Sequence, residues 1–506
     1  MAANLMARLP LSVKLFFGFG QAAEGIKNFG FSIFLLFYYN SVLGLPGWMS
    51  GLAVGIALVF DAITDPLAGS LSDRTRTSLG RRHPYMYASI IPLAIGFYLL
   101  FTPPTGLSQW QLFGWMLCFA VLTRAGMTLF HVPHLSLGAE LTDDFAERTS
   151  VVSARQIFST LGSMFVIFAG FGIFFVATTE QSIGQFRLEQ YGPFALAMAI
   201  CMAVSIGVSA LGTQARAKSL SQPAPSKEVF SLPRIFKQLW IEILEALSND
   251  SFRWMFFGIL CIFFMVGVEA ALGLHMNTYF WELSETGNLL FFVAAPVGLI
   301  VGAFFTRRLN ERFDKKPCVM LGTGGWAFCQ FAMITLRLLD IMPANGTSEL
   351  LYILVTFKFV QGLFVAQSLI TFGSMVADIV DEHQLKSGRR QEGIFFAAVS
   401  FSSKCTTGLG SAMAGVALSI IGFPDGVGGG DAVVVAPETV RNLGIFFGPG
   451  ISGLAIVSVW CMSHHNLDRA RHAEVQQELA QSTAAPMSDS LGLQPQQGSQ
   501  HAFNKA

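Results

Sequence analysis

The chain of 506 residues is 52% hydrophobic and 13% charged, with 32 basic and 32 acidic side chains that cancel. A charged share about half that of an ordinary soluble domain excludes a globular protein of the aqueous phase. Seven cysteines (Cys118, Cys201, Cys261, Cys318, Cys329, Cys405 and Cys461) lie in or at the ends of apolar runs, as small core residues do, and not as a disulfide frame or a metal cluster.

Apolar runs long enough to cross a ~30 Å hydrocarbon core at ~1.5 Å per residue recur from one end to the other. There are twelve, over 12–43, 47–72, 84–103, 109–138, 151–178, 191–212, 252–281, 286–307, 317–339, 349–379, 392–422 and 438–463. The first is too long for a signal-peptide core and no small-residue cleavage site follows it, so it reads as a membrane helix. A polar segment at 213–250, with "SQPAPSKEVFSLPR" at its heart, separates an N-terminal six-helix bundle (1–212) from a C-terminal one (251–463). The tail, 464–506, begins as a surface helix and turns Gln/Ser-rich, a composition expected to stay disordered.

Lys and Arg crowd the joint after span two (Arg74, Arg76, Arg81, Arg82) and the joint after span eight (Arg307, Arg308, Arg312, Lys315, Lys316), while 44–48, 103–109, 281–287 and 422–438 hold none. This asymmetry predicts that both termini, the linker and the tail are cytoplasmic. Positive charge segregated by side, not pooled, leaves no nucleic-acid face.

The halves repeat. "GSLSDRTRTSLGRRHP" (69–84) and "GAFFTRRLNERFDKKP" (302–317) both run from Gly to Pro with basic residues between, and "AELTDD" (139–144) matches "ADIVDE" (377–382). A duplicated six-helix unit is an architecture of secondary transporters.

Span two carries Asp61 and Asp65 on one face, and Asp61 lies about 18 Å along the helix from Asp73, near mid-bilayer. A bare carboxylate there costs at least ~2.5 kcal/mol, so the pair is expected to share a mobile cation, bound Na⁺ or a proton, unless a neighbouring basic residue neutralises it permanently. Further ionisable groups sit at membrane depth: Glu24 and Lys27 in span one, Arg124, His131 and His134 in span four, Arg155 in span five, Glu269 and His275 in span seven, Lys358 in span ten, Lys404 in span eleven. They predict a wet cavity lined mainly by spans one, four, seven and ten. Arg124 with Glu24, and Glu269 with Lys358, are candidates either to neutralise each other or to touch substrate. One of His131 and His134, which flank Val132–Pro133, is expected to repair the proline-broken helix.

"FDAITDPLAG" on span two, "ADIVDEH" closing span ten and "KLFFGFGQAAEG" opening span one, with the loop patterns, resemble the glycoside-pentoside-hexuronide:cation symporters, the melibiose permease-like family of the major facilitator superfamily. The resemblance implies an all-α membrane protein of twelve transmembrane helices in two pseudo-symmetric six-helix bundles. It implies that Asp61, Asp65 and Thr128 bind the cation, with Thr64 where the family has an asparagine ligand, and that Lys404 couples beside them. It implies that Arg155 lies near the sugar and that Gly69, Asp73, Arg74, Arg81 and Arg82 form a cytoplasmic gate, with Gly69 allowing close helix contact and Asp73 latching the two halves. Glu24, Arg124, His131, Arg155, Glu269 and Lys358 are the candidate substrate contacts. Gly25 and His131 replace the acids that hold the galactoside in melibiose permease, and Leu135 and Leu369 replace its tryptophans, so that pocket is not reproduced.

The implied function is Na⁺- or H⁺-coupled symport of a sugar, glycoside or sugar acid, by a monomer in a bacterial cytoplasmic membrane, with no other cofactor. "FHVP" and "DAITDPL" also resemble segments of the animal Na⁺-coupled lysophosphatidylcholine symporters, which makes a lysophospholipid the alternative cargo. A non-transporting receptor or assembly factor is the alternative of another class. No nucleophile with a positioned base speaks for an enzyme.

Overall fold

The computed structural model describes residues 9–142, 144–218, 232–389, 391–424, 434–466 and 468–490, and among these there is no sheet. Apolar runs in hydrocarbon must satisfy their backbone within the run, which selects helix. The first half comprises α1 (Leu11–Phe29), α2 (Gly47–Arg74), α3 (His83–Leu100), α4 (Gln109–Glu140), α5 (Phe145–Ala169) and α6 (Leu188–Lys218). After α7 (Leu232–Ser248) the second half follows: α8 (Asp250–His275), α9 (Glu285–Phe313), α10 (Lys315–Leu338), α11 (Ser348–Ser387), α12 (Glu392–Ile420), α13 (Pro437–Ile445) and α14 (Leu454–Ser463). The last element is α15 (Arg469–Ser490). π-Helical turns extend α1 (Gly30–Leu35, Tyr38–Val42), α5 (Gly170–Phe174) and α8 (Met276–Phe280), and Phe446–Gly450 joins α13 to α14 as the twelfth crossing.

Ten crossings are long and apolar enough to span a membrane by composition alone. The remaining two, α1 and α12, are the ones that the cavity makes polar: α1 carries Lys14, Glu24 and Lys27, and α12 carries Lys404 among serines and threonines. The repeat is visible in the packing. A Cβ on Gly25 of α1 would stand 2.1 Å from the Ser159 carbonyl oxygen of α5, and a Cβ on Gly410 of α12 would stand 2.3 Å from the Phe264 carbonyl oxygen of α8. Each half thus crosses its first and fifth membrane helices backbone to backbone.

The halves meet at the end of the bundle away from the start of α1, here the far end. There α2 and α12 cross through Gly47, Gly51 and Gly55 against Gly408, Ser411 and Gly415; a Cβ on Gly415 would lie 2.2 Å from the Gly47 carbonyl oxygen. Among the described residues, hydrogen bonds that join the halves at this end run from Trp48 N–H to Ser419 Oγ (3.1 Å), from Gln185 Nε2 to Thr278 Oγ1 (3.0 Å) and between His275 Nε2 and Asn40 Oδ1 (3.2 Å). The far end is closed.

The segment 213–250 is more structured than a polar linker. Residues 213–218 continue α6, with Thr213 buried against His83, and α7 packs Ile243 and Ala246 inward while Trp240, Ile241 and Leu244 stay exposed. Its one-sided apolar pattern, interrupted by Glu242 and Glu245, makes it an amphipathic helix. Residues 219–231 lie outside the described residues. The surface helix expected at the start of the tail is α15, and it docks on the second half: Arg469 caps the end of α9 at the Asn310 and Glu311 carbonyls (2.6 and 2.9 Å), and His472 Nε2 lies 3.3 Å from Asp381 Oδ2. Residues 491–506, the Gln/Ser-rich part, lie outside the described residues.

Candidate functional site

Asp61 and Asp65 stand one turn apart on α2, Asp61 buried and Asp65 half-buried, both on the wall of a cavity of about 290 Å³ between the halves. Thr128 of α4 faces them, its Oγ1 2.8 Å from Asp61 Oδ1 and 3.1 Å from Asp65 Oδ1. One hydroxyl proton serves one of those oxygens at a time, so Thr128 links the two carboxylates without saturating them. Thr64 is not part of this set: its hydroxyl donates back to the Phe60 carbonyl (3.0 Å), consistent with a threonine inside a helix, and it does not line the cavity.

Two basic side chains close on the pair. Arg124 of α4 places Nη1 3.2 Å from Asp61 Oδ2 and its guanidinium 5.1 Å from the Phe31 ring centroid, so it is held by charge on one side and by a π face on the other. Lys404 of α12 reaches across from the second half, with Nζ 3.3 Å from Asp61 Oδ2 and hydrogen-bonded to Asp65 Oδ2. Lys27 of α1, given no role in the sequence reading beyond its depth, is buried on the same wall three residues from Glu24.

The wall therefore holds three carboxylates, Glu24, Asp61 and Asp65, and three cations, Lys27, Arg124 and Lys404. In this conformation protein cations neutralise the pair, Lys404 among them where the resemblance places it, and Arg124 takes Asp61, not Glu24, as its partner. A buried ion pair persists only where each charge is met, and here each carboxylate of the dyad is. The two cations differ. Arg124 is buried, whereas the Lys404 side chain is 26% exposed.

Glu24 organises the other end of the wall. It accepts from Gln21 Nε2 and from Asn28 Nδ2 (3.1 Å), and His131 Nδ1 lies 3.2 Å from Gln21 Nε2, a contact that a neutral imidazole accepts, and 3.9 Å from Glu24 Oε1. His131 lines the cavity; His134 does not. The latter is fully buried, stacked on Phe17 at 4.0 Å, with Nε2 2.9 Å from the Phe17 carbonyl of α1. It is the structural histidine of the two, though it ties α4 to α1 and does not repair its own helix. Arg155 is half-buried on α5, outside the cavity lining but within electrostatic reach of Glu24 on its wall.

Glu269 of α8 and Lys358 of α11 pair with each other at 2.6 Å. They lie in a second lobe of about 300 Å³ that shares Ser32 and Ala270 with the lining of the first and is walled by Trp281, Phe291 and Phe292. The charged lobe is lined by α1, α2, α4, α8 and α12, so spans two and eleven join one, four and seven, and span ten serves only the second lobe.

The gate residues bind one another inside the first half. Arg82 bridges Asp73 Oδ1 (2.5 Å), Glu140 Oε1 (2.8 Å) and Ser72 Oγ (2.6 Å), and Arg81 joins Glu140 at 2.8 Å. They tie α2, α3 and α4 together where a latch between halves was expected, and Arg74 forms the end of α2. Gly69 is not needed for close contact either: a Cβ there would meet Val132 Cγ1 at an ordinary 3.5 Å, whereas on Gly302 of α9 it would lie 2.9 Å from both Leu363 Cα and Ala366 Cβ of α11.

Comparison with known proteins agrees with this architecture. The chain is 26% identical to an uncharacterized symporter of Synechocystis sp. over 95% of this chain and 98% of the relative. It is 25% identical to a putative glycoside/cation symporter of Escherichia coli over 83% and 85%. The fold matches that of the xylose transporter of E. coli, solved in a partially occluded inward-open conformation, with a TM-score of 0.57 at 14% identity, covering 91% of this chain and 98% of that one. The family model described as MFS/sugar transport protein matches residues 16–469, and the chain belongs to that family of major facilitator transporters.

Proposed function

We propose that the chain is a cation-coupled symporter that carries a sugar, glycoside or sugar acid by alternating access, as a monomer in a bacterial cytoplasmic membrane with both termini in the cytoplasm. The observation that carries this reading is the Lys404 ammonium lodged on both Asp61 and Asp65. Na⁺ or a proton arriving at the dyad competes with Lys404 for the same oxygens, with Thr128 free to turn its lone pairs to the ion. Displacing Lys404 removes a bond between α2 and α12, so cation occupancy and the link between halves exclude each other. That exclusion is the coupling: an ion bound from outside loosens one conformation and, by linkage, favours the solute.

Solute oxygens have groups waiting for them. Arg124 Nε is buried without a hydrogen-bond partner among the described residues, and Arg124, His131 and Glu24 line the same cavity. The closed far end and the basic joints at the other end support a state open toward the cytoplasm. The relatives' names favour a sugar over the lysophospholipid alternative, and the intact dyad with its lysine argues against a non-transporting receptor. The test is uptake into vesicles of glycosides, sugar acids and lysophosphatidylcholine under Na⁺ or H⁺ gradients. Asp65→Asn is expected to lose gradient-driven accumulation while retaining solute exchange; wild-type accumulation by that variant sinks the reading.

A further inference from the structure

A cavity of about 600 Å³ lies at the far end of the second half, and its lining shares no residue with either lobe between the halves. Its walls come from the π turn that ends α8, the loops after α8 and α10, and the start of α13. Four charged side chains line it, Glu282, Arg337, Asp340 and Arg441, and none of them forms an ion pair among the described residues. Arg337 engages only one nitrogen, donating from Nη1 to the Pro343 carbonyl at 3.0 Å. Asn345 donates from Nδ2 to the Phe280 carbonyl at 3.3 Å, which folds the loop after α10 against the end of α8, but its Oδ1 is buried with no donor among the described residues. A buried acceptor left unmet is costly unless a ligand or water supplies a hydrogen.

The two carboxylates are also held at a backbone cost. Glu282 has φ 49° and Asp340 φ 56°, in the left-handed region that a side chain disfavours, and they are two of the three non-glycine residues found there among the described residues. Glycine would serve both turns better if the carboxylates only met solvent. Two positive and two negative groups give the cavity no net charge, so a lone anion or cation gains little from it. A hydroxyl donates and accepts at once: it can give its hydrogen to Glu282, Asp340 or Asn345 Oδ1 and receive one from Arg337 or Arg441. A ring bearing several hydroxyls meets all five groups and lays its apolar face on Phe280, which lines the same wall. A zwitterion brings a single ammonium to acceptors that stand on two loops.

We propose that this cavity is a second binding site, for a neutral polyhydroxylated ring, on the far face of the second half. It borders the closed far end, since Thr278 on its wall accepts the Gln185 hydrogen bond that joins the halves. Solute can therefore be held there while the lobes between the halves are shut off from that side, and no ion at Asp61 and Asp65 is required.

The full-length protein in lipid nanodiscs is titrated with dextran grafted with glucose, galactose, mannose or xylose, a probe too large for the lobes between the halves, with and without Na⁺. At least one grafted dextran is expected to bind, to be displaced by its free sugar and to be indifferent to Na⁺. Asp340→Gly removes a carboxylate and its unfavourable φ together, so it should weaken that binding about 10- to 100-fold while the unfolding temperature holds or rises. Arg441→Gln, at an exposed side chain, should weaken it by a similar factor without changing the unfolding temperature. Binding of no grafted dextran, binding untouched by both variants, loss of binding only together with a lower unfolding temperature in both, or displacement by alanine or glucuronate in preference to the neutral sugar overturns the inference. Cation-driven uptake at saturating free solute, which neither variant should abolish, judges the symport reading separately.

Discussion

Gly415→Val tests whether the α2–α12 crossing is the closed far gate. The new Cβ would stand 2.2 Å from the Gly47 carbonyl oxygen and 2.7 Å from Gly51 Cα, against an ordinary approach beyond 3.4 Å. Both obstacles are backbone, so the helices must part by about 1 Å, and overpacking of this kind costs about 1–3 kcal/mol. That cost falls on the far-closed conformation alone and shifts the conformational equilibrium by a factor of about 5 to 150 toward far-open states. A cysteine at Ser32, in a chain stripped of its native cysteines, reports the shift by its reaction with a membrane-impermeant maleimide added from the far side. Labelling should accelerate by that factor in Gly415→Val, with uptake slowed and solute binding kept. Unchanged labelling with unchanged uptake would refute the assignment of this crossing as the gate.

Asp61→Asn strands the buried Arg124 guanidinium and is expected to lower stability by about 3–5 kcal/mol, read as earlier thermal unfolding in detergent, whereas Asp65→Asn, opposite a partly exposed lysine, should unfold near the wild-type temperature. The double variant Asp61→Asn with Arg124→Gln should regain much of that stability and none of the coupled uptake, a non-additivity that a double-mutant cycle measures. His134→Ala removes the buried ring that stacks on Phe17 and bonds its carbonyl, and should cost about 1–3 kcal/mol, while His131→Ala should weaken solute binding with little change in unfolding temperature; equal effects of the two would refute their division of labour. Gly302→Val should destabilise the second half by about 1–3 kcal/mol and Gly69→Ala should be silent in both uptake and melting.

What the residues disclosed on their own follows the contrast between hydrocarbon and charge. Asp61 and Asp65 stand out because nothing around them in span two is ionisable, and the pairing of Glu269 with Lys358 was one of two readings open to two opposite charges at similar depth. Arg124 was harder, because three carboxylates at one depth compete for it and only the packing of α4 against α2 selects Asp61. Lys404 as the dyad's partner came from family resemblance, since no local pattern links α12 to α2. Gly69 and Gly302 look equivalent in the repeated motif, yet only Gly302 is pressed by a neighbouring helix, a difference set by interhelical distance. The docking of α15 escaped a compositional reading because it depends on Arg469 and His472 finding the carbonyls and carboxylates at the ends of α9 and α11.

The self-neutralised wall sets how the transmembrane voltage acts on each half of a cycle. With three positive and three negative side chains and His131 uncharged, the empty carrier reorients without moving net charge from the cavity and returns at a rate indifferent to membrane potential. Loaded with one monovalent ion and a neutral sugar, the same cavity carries a full elementary charge, and its inward movement gains about 2.3 kcal/mol per 100 mV. A sugar acid bearing one carboxylate would cancel that charge, so current recorded per molecule taken up separates neutral from acidic cargo.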